Sequence, residues 1–502
     1  MATETELKLS ISPADMRRLK RHPLLAELSV DRAVTRKLTN VYYDTPKLTL
    51  RDRAMALRLR RSGRHWLQTM KGGGSASAGL HHRDEWETPA PDGALDWKAL
   101  KAAGAPALSA ALRAELQPVF STNFSRNIRL LKYRDAEIEL CMDSGEIRAG
   151  KQTRPISELE LELKSGSPKH LFQLALALLD IVPVQIEQTS KAAYGYALLQ
   201  PDLPHAAGKS PPELDAKSGV SHALRSAAIA CFTHMEANAQ GVARGLGDEC
   251  LRQARVGLRR LRVVLTLAQA WHDDSALRKL LRDTSEMRAA FGRLREWDVF
   301  LTQTLAEDAA DLRVLRRHVE ERRNAARADL ENWLASGDYQ RFLLRLGVWL
   351  HGDYWKSGSK GKKNGLPRFA ARELAHRAKR LKRWGRDFAG ADAVQLHGLR
   401  IACKKLRYAT DMFSPLFDAA VCKRYLSALS GLQEELGVLN DLAVAAHLLE
   451  ELELVGARRQ AVARVQARLE SEWQQRHIAA GKTWKRFCAR WNGADSILRK
   501  RR

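Results

Sequence analysis

Cysteine is scarce in this chain: six in 502 residues, at 141, 231, 250, 403, 422 and 488, with no Cys-x-x-Cys pair. Such scatter excludes a disulfide framework and reads as reduced thiols in a cytoplasm. Long apolar runs are missing too, since no stretch approaches the ~18 residues that a membrane helix needs. The opening Met1-Ala2-Thr3-Glu4 lacks the basic and apolar regions of a secretory signal. The expectation is a cytoplasmic protein with no membrane partner. Acidic residues are the other shortage: 58 Asp and Glu stand against 84 Lys and Arg, a formal charge of +26. A strongly basic soluble protein pairs with polyanions, whether nucleic acid, anionic membrane or polyphosphate. The excess is uneven. Residues 1–200 hold 30 basic and 23 acidic side chains, which leaves most of the net charge in the C-terminal part.

What is present divides near residue 200. Upstream, polar and apolar residues alternate with period two, as in Leu57-Arg58-Leu59-Arg60, Glu137-Ile138-Glu139-Leu140 and Glu158-Leu159-Glu160-Leu161-Glu162-Leu163. That is strand patterning. An apolar stretch from His170 to Leu179 reads as a helix among the strands. Downstream, Ala, Leu, Arg and Glu recur at helical spacing. The domains predicted are 1–200, a Pro/Gly-rich linker over 201–217, and a helical domain over 218–495 with halves at about 218–355 and 366–495. Gly72–Gly79 is expected to join two strands, and Ser357–Gly365 to join two helical bundles.

In a strand, residues two apart share a face. Glu4, Glu6 and Lys8 therefore point one way, as do Glu158, Glu160 and Glu162, while Arg58 and Arg60 share another face. One such strand is an ordinary solvated surface. Aligned carboxylates on one strand and aligned cations on others fit better as the lining of a barrel. Arg and Lys suit a multiply charged phosphate chain. Glutamates tolerate the same ligand when a divalent ion lies between, and all-oxygen ligands favour Mg²⁺ or Mn²⁺.

These residues, in this order, resemble the CYTH, or triphosphate tunnel metalloenzyme, family. The set runs Glu4-x-Glu6-x-Lys8, Tyr42-Tyr43-Asp44-Thr45, Leu57-Arg58-Leu59-Arg60, Lys71, Arg83-x-Glu85, Arg126, Asp143, Glu160-x-Glu162 and Ser190-Lys191. The resemblance implies an eight-stranded antiparallel β-barrel tunnel with flanking helices, an α+β domain that hydrolyses a triphosphate with Mg²⁺ or Mn²⁺. Carried over, Glu4, Glu6, Asp143, Glu160 and Glu162 are the metal ligands. Lys8, Arg58, Arg60, Lys71, Arg83, Arg126 and Lys191 hold the phosphates. Glu85 orients those cations or helps to position the metal, and Glu4, Glu6, Lys8 and Glu85 form the catalytic set. Glu158 extends the acidic strand, which leaves open which two of its three glutamates bind metal. Arg129, three residues after Arg126, falls on the opposite face and is expected to be exposed. Trp66 and Trp86 are expected to pack structurally, which favours inorganic triphosphate over thiamine triphosphate, an RNA 5′-triphosphate or ATP as a cyclase substrate.

The helical part repeats itself. Arg252, Arg255, Arg259 and Arg262 step by 3, 4 and 3, and 145 residues later His397, Arg400, Lys404 and Arg407 take the same steps. Such steps lay each set along one helical face, with no acidic i+4 partners. Arg260 and Lys405 are expected to widen the patch, and Asp298 and Asp441 to cap helices. The pattern His397-x-x-Arg400-x-x-x-Lys404-Lys405-x-Arg407-Tyr408 resembles the CHAD domain. This resemblance implies an all-α pair of duplicated helical bundles whose basic surface binds inorganic polyphosphate, with association to polyphosphate granules. No aromatics interleave the stripes, which disfavours nucleic acid. The expected function is hydrolysis of inorganic triphosphate beside a polyphosphate-binding domain. The alternatives are an idle polyanion adaptor or an enzyme for an organic triphosphate.

Overall fold

The structure, a computed structural model, describes residues 4–77, 79–200, 206–208, 214–215, 217–306, 312–357, 365–452 and 458–491. Two compact units emerge. One takes residues 1–205 together with Ala335–Asp353, and the other takes the remainder.

The first unit is built on β1 (Glu4–Ile11), β2 (Val34–Asp44), β3 (Ala56–Ser62), β4 (His65–Ser77), β5 (Leu80–Pro89), β6 (Gln117–Tyr133), β7 (Ala136–Ala149), β8 (Gln152–Ser165) and β9 (Val184–Ile186). Their order is β5-β4-β3-β2-β6-β7-β8-β1, and a β1–β5 pairing closes the ring. Eight antiparallel strands therefore form a barrel. The short β9 pairs with Leu9–Ile11 of β1, beyond the segment Glu4–Leu7 that pairs with β5.

Alternation inverts the usual polarity of a small soluble barrel. Leu7, Leu9, Leu159 and Leu161 are fully buried on the outside, beneath helix α1 (Lys169–Leu179). Each such leucine contributes about 2 kcal/mol of burial. The charged positions between them are left to face the lumen. Helix α2 (Lys191–Leu199) follows β9, and its seat depends on Gly195: a Cβ there would lie 2.2 Å from the Phe120 ring. The Gly-rich stretch expected to join two strands instead extends β4 to Ser77, with a bulge between Gly72 and Ser75, and among the described residues Gly79 lies in the turn.

The second unit repeats a four-helix order. Helices α3 (Val220–Ala243), α4 (Asp248–Trp271), α5 (Ser275–Val299) and α6 (Arg313–Ala335) are answered by α8 (Leu366–Trp384), α9 (Ala393–Phe413), α10 (Ala419–Glu451) and α11 (Arg458–Arg490). Between them, α7 (Gly337–His351) joins the barrel unit rather than continuing the first helical half. Most of the expected linker, and most of the expected junction over 357–365, lie outside the described residues.

Candidate active site and anion cavity

Strand register sets the barrel site. Glu6 stands opposite Glu162 and Lys8 opposite Glu160. Asp143 stands between Glu158 and Arg126. Directly opposed residues project to one face, so these carboxylates and cations share the lumen. Lys8 Nζ lies 2.8 Å from Glu160 and 3.5 Å from Glu158. Arg126 grips Asp143 through Nε at 2.8 Å and Nη2 at 2.7 Å, and Nη2 also donates to Glu160. Lys191 opens α2, where Ser190 caps the helix. Its Nζ reaches Asp143 at 2.6 Å and Glu160 at 3.0 Å, and it pairs with Glu158.

This packing separates two neighbouring glutamates. Burial pushes Glu160 up, yet Arg126, Lys191 and Lys8 together hold it well below the usual range. Glu158 is raised, because burial and the nearby Glu160 outweigh its lysine partners. Burial opposes the charge on Lys8, but Glu158, Glu160 and Glu6 hold it well above its usual value.

The opposite wall carries Arg58, Arg60 and Lys71. Glu85 orients two of them, at 2.8 Å from Lys71 and 3.5 Å from Arg58. Arg58 Nε is buried without an acceptor. Arg60 Nε donates to Asn40 at 3.0 Å, and burial beside Arg58 and Arg126 pushes its guanidinium down to about 10. Burial raises the Tyr42 phenol, but Arg58, Arg60 and Lys191 outweigh it and leave it lowered. The two walls enclose a cavity of about 100 Å³.

Asp44 of the Tyr-Tyr-Asp-Thr motif is structural. Fully buried, it accepts from the amides of Thr45, Leu50 and Arg51 and from the Tyr196 hydroxyl, at 2.7 to 3.0 Å. It thereby ties the β2–β3 connection to α2.

Carboxylate oxygens of Asp143, Glu158 and Glu160 lie within 4.8 Å of one another. Hard oxygen donors at that separation fit Mg²⁺ or Mn²⁺. Cys141 stands opposite Glu160, but burial pushes its thiol up, so it offers no thiolate. Glu162 lies apart from this trio, with Lys164 at 2.6 Å. Glu4 and Arg83 are backbone partners, and their side chains lie outside the described residues. Tyr42 and Asn40 belong to the site although they were not among the expected site residues, and Glu158, left open by the sequence, joins Asp143 and Glu160. The alternation of β2 and β8 carries the signal for them. Arg129 is on the outer face as expected, but half-buried, with Nη2 donating to the Lys20 carbonyl at 3.2 Å.

The helical unit encloses a cavity of about 500 Å³ lined by Arg252, Arg255, Arg259, Arg262, Arg400, Lys404 and Lys405 of the predicted set. The Nε atoms of Arg259 and Arg400 are buried without an acceptor. Like-charge crowding is severe: burial together with Arg400, Arg259 and Arg255 pushes Lys404 down to about 6. Arg288 and Arg295 of α5 also line the cavity. They sit one heptad apart on the same face and have no basic counterpart in the second half, where Gln433 and Asn440 stand 145 residues on.

Several expectations need correction. His397 and Arg407 flank the cavity instead of lining it, held by Asn440 at 2.6 Å and Gln433 at 2.8 Å. Arg260 is buried in the bundle and widens nothing. The first stripe has no acidic i+4 partner, as expected, but Arg252 does pair with Glu249 at i−3, 2.5 Å away. Neither Asp298 nor Asp441 is a cap. Asp298 is buried in α5 with Arg323 Nε at 2.6 Å, and Asp441 sits mid-helix in α10, 3.8 Å from Arg400.

Residues 2–196 match the CYTH domain model and residues 226–450 the CHAD domain model. The chain is a CYTH domain followed by a CHAD domain. The CYTH part is 35% identical over 198 residues to the inorganic triphosphatase of Haemophilus influenzae. That match takes 39% of this chain and 55% of the relative, so the chain spans about half the length of that protein. The CHAD part resembles the crystal structure of the CHAD domain from the plant Ricinus communis, with 31% identity and a TM-score of 0.50, covering 56% of this chain and 96% of that one. A Hippeastrum protein described as having a dominant triphosphatase activity is 19% identical, with a TM-score of 0.30 over 39% of this chain and 95% of its own. Among the described residues no helix is long and apolar enough to cross a membrane.

Proposed function

We propose that the CYTH barrel is a divalent-metal-dependent inorganic triphosphatase and that the CHAD cavity binds inorganic polyphosphate. The observation that carries the first half is the narrow lumen, lined mostly by charged side chains. About 100 Å³ is small beside the several hundred Å³ typical of organic ligand pockets. Its rings are already taken. Phe124 lies beneath Lys191 and Arg126, at 5.0 and 5.6 Å, and Tyr42 stacks on Phe120 at 4.4 Å. Trp86 packs in the core with Leu50, Leu57 and Met70, and Trp66 packs against Gly93. Among the described residues, these contacts leave no unengaged ring on which a thiamine ring or a nucleobase could stack.

A triphosphate would lie between Arg58, Arg60 and Lys71 on one wall and Lys8, Arg126 and Lys191 on the other. The last three already pair with carboxylates, so binding is an exchange in which they turn from Asp143, Glu158 and Glu160 to phosphate oxygens. A divalent ion held by that trio, with Glu4, Glu6 and Glu162 as further carboxylates, supplies charge neutralisation at the phosphates and acidity to water. Glu85 keeps Lys71 and Arg58 aimed at the chain. The guanidiniums of Arg58 and Arg126 offer forked donors to the charge that grows on the departing diphosphate. Water enters, and phosphate and diphosphate leave.

For the CHAD cavity, the buried unpaired Nε donors and the crowded cations favour a polyanion without bases. Such a cargo would bring the enzyme to polyphosphate granules in the cytoplasm. The test is phosphate release from inorganic triphosphate, ATP and thiamine triphosphate, each with and without Mg²⁺ or Mn²⁺. Metal-dependent release from inorganic triphosphate well above the other two is expected. Unchanged activity in Glu4→Gln/Glu6→Gln protein would overturn the metal assignment.

A further inference from the structure

The CYTH match ends at residue 196, yet the unit that contains the barrel includes α7, which arrives through the helical half of the chain. We propose that Gln340 of α7 is a positioning residue for the triphosphate site, so that the catalytic unit is assembled from two separated stretches of chain.

Helix α7 packs on α1 and β9. Gly347 lets it approach closely, since a Cβ there would lie 2.2 Å from the Phe172 ring, which His351 also stacks upon at 5.4 Å. Arg341 pairs with Asp180, and Lys169 with Asp353, each at 2.5 Å. The decisive contact is polar and buried. Gln340, 6% exposed, accepts the Ile186 amide of β9 through Oε1 at 3.0 Å. Ile186 pairs with Leu9, and the next amide, Glu187 N, donates to the Lys8 carbonyl at 2.9 Å. Glu187 then accepts the Thr189 amide at 2.7 Å and the Tyr194 hydroxyl at 2.6 Å, which sets the turn into Ser190 and Lys191. Gln340 thus fixes the one short strand that touches the backbone of Lys8 on one side and runs into Lys191 on the other. Both of those lysines hold the Glu158–Glu160 pair.

This inference rests on the triphosphatase reading for its kinetic arm only. In the full chain, Gln340→Leu keeps the volume and drops the acceptor, whereas Gln340→Glu keeps an acceptor. Amide exchange over residues 184–191 is expected to rise at least tenfold in Gln340→Leu and to stay within twofold in Gln340→Glu. With inorganic triphosphate and Mg²⁺, kcat/KM is expected to fall about tenfold in the first variant and to be restored in the second. Unchanged exchange over 184–191 in Gln340→Leu overturns the proposal, whatever the enzyme hydrolyses. Faster exchange with unchanged kcat and KM overturns it as well, and leaves Gln340 a stabilising contact alone. A wild-type protein that releases no phosphate from inorganic triphosphate sinks the functional reading, and the exchange arm still decides the positioning claim.

Discussion

Lys191 Nζ lies 2.6 Å from Asp143 Oδ2 although 48 positions separate them in the chain. The lysine comes from a helix that follows the barrel, and the aspartate from the middle of β7. Three acidic groups buried together cost several kcal/mol unless cations answer them, and Lys191 meets all three at once.

Removing that amine should hurt stability and turnover together. Lys191→Met is expected to lower unfolding stability by about 3 kcal/mol, the cost of stranding a buried charge. It should lower kcat/KM for inorganic triphosphate by about 100-fold, or about 2.7 kcal/mol of transition-state stabilisation. Denaturant titration and steady-state kinetics check both.

The glutamates of β8 should differ in their grip on metal. Glu160→Gln is expected to raise the Mg²⁺ or Mn²⁺ concentration for half-maximal activity by at least tenfold. Glu162→Gln should raise it less, since Lys164 already engages Glu162 away from the trio. A metal titration of the two variants, side by side, ranks them.

The pH dependence of folding follows from the same groups. Glu160 is held below its unfolded value, so its contribution is fully present above about pH 4.3 and is lost as pH falls through its depressed folded value. Lys8 and Lys191 are raised, so theirs is present below about pH 10.4 and lost as pH climbs through their folded values. Glu158, itself raised, works the other way and withdraws some stability as pH rises past the ordinary glutamate range. Thermal midpoints should therefore form a plateau, and Glu160→Gln should flatten its acid edge.

In the CHAD cavity, Lys404 is pushed down to about 6, so it is mostly neutral at pH 8. An anion beside it raises that value, and a proton is taken up on binding. Polyphosphate affinity should therefore strengthen from pH 8 to pH 6. Calorimetry at pH 8 in two buffers of different ionisation enthalpy should show the uptake in wild type and lose it in Lys404→Met.

Salt should weaken the same complex steeply, about tenfold or more between 50 and 200 mM, because the contacts are ionic. Arg259→Met/Arg400→Met is expected to reduce both the affinity and the salt slope. Unchanged binding by this pair would remove the cavity as the site.

Much of this was legible in the sequence because period-two alternation states which side chains share a face. Alternation puts Glu6 with Lys8, Arg58 with Arg60, and Glu160 and Glu85 on the polar faces of their strands, whereas Lys71, Arg126, Asp143 and the helical Lys191 rest on the resemblance to the CYTH family. The helical duplication was equally plain in Arg255, Arg259, Arg400 and Lys404. Other features depend on facts no local pattern carries. Arg288 and Arg295 escaped notice because the repeat does not preserve them. Asp298 and Asp441 looked like caps because a cap and a mid-helix aspartate are spelled alike until the helix ends are known. Gly337–His351 falls inside the stretch 218–355 assigned to the first helical half, since nothing in its own residues says that Phe172 is its neighbour.

The duplicated bundle has kept its shape without keeping its balance. Six arginines of the cavity wall, at 252, 255, 259, 262, 288 and 295, come from α4 and α5, whereas the second half answers with Arg400, Lys404 and Lys405. An elongated anion bound there would feel unequal attraction and should lie closer to the arginine-rich first half than to the second.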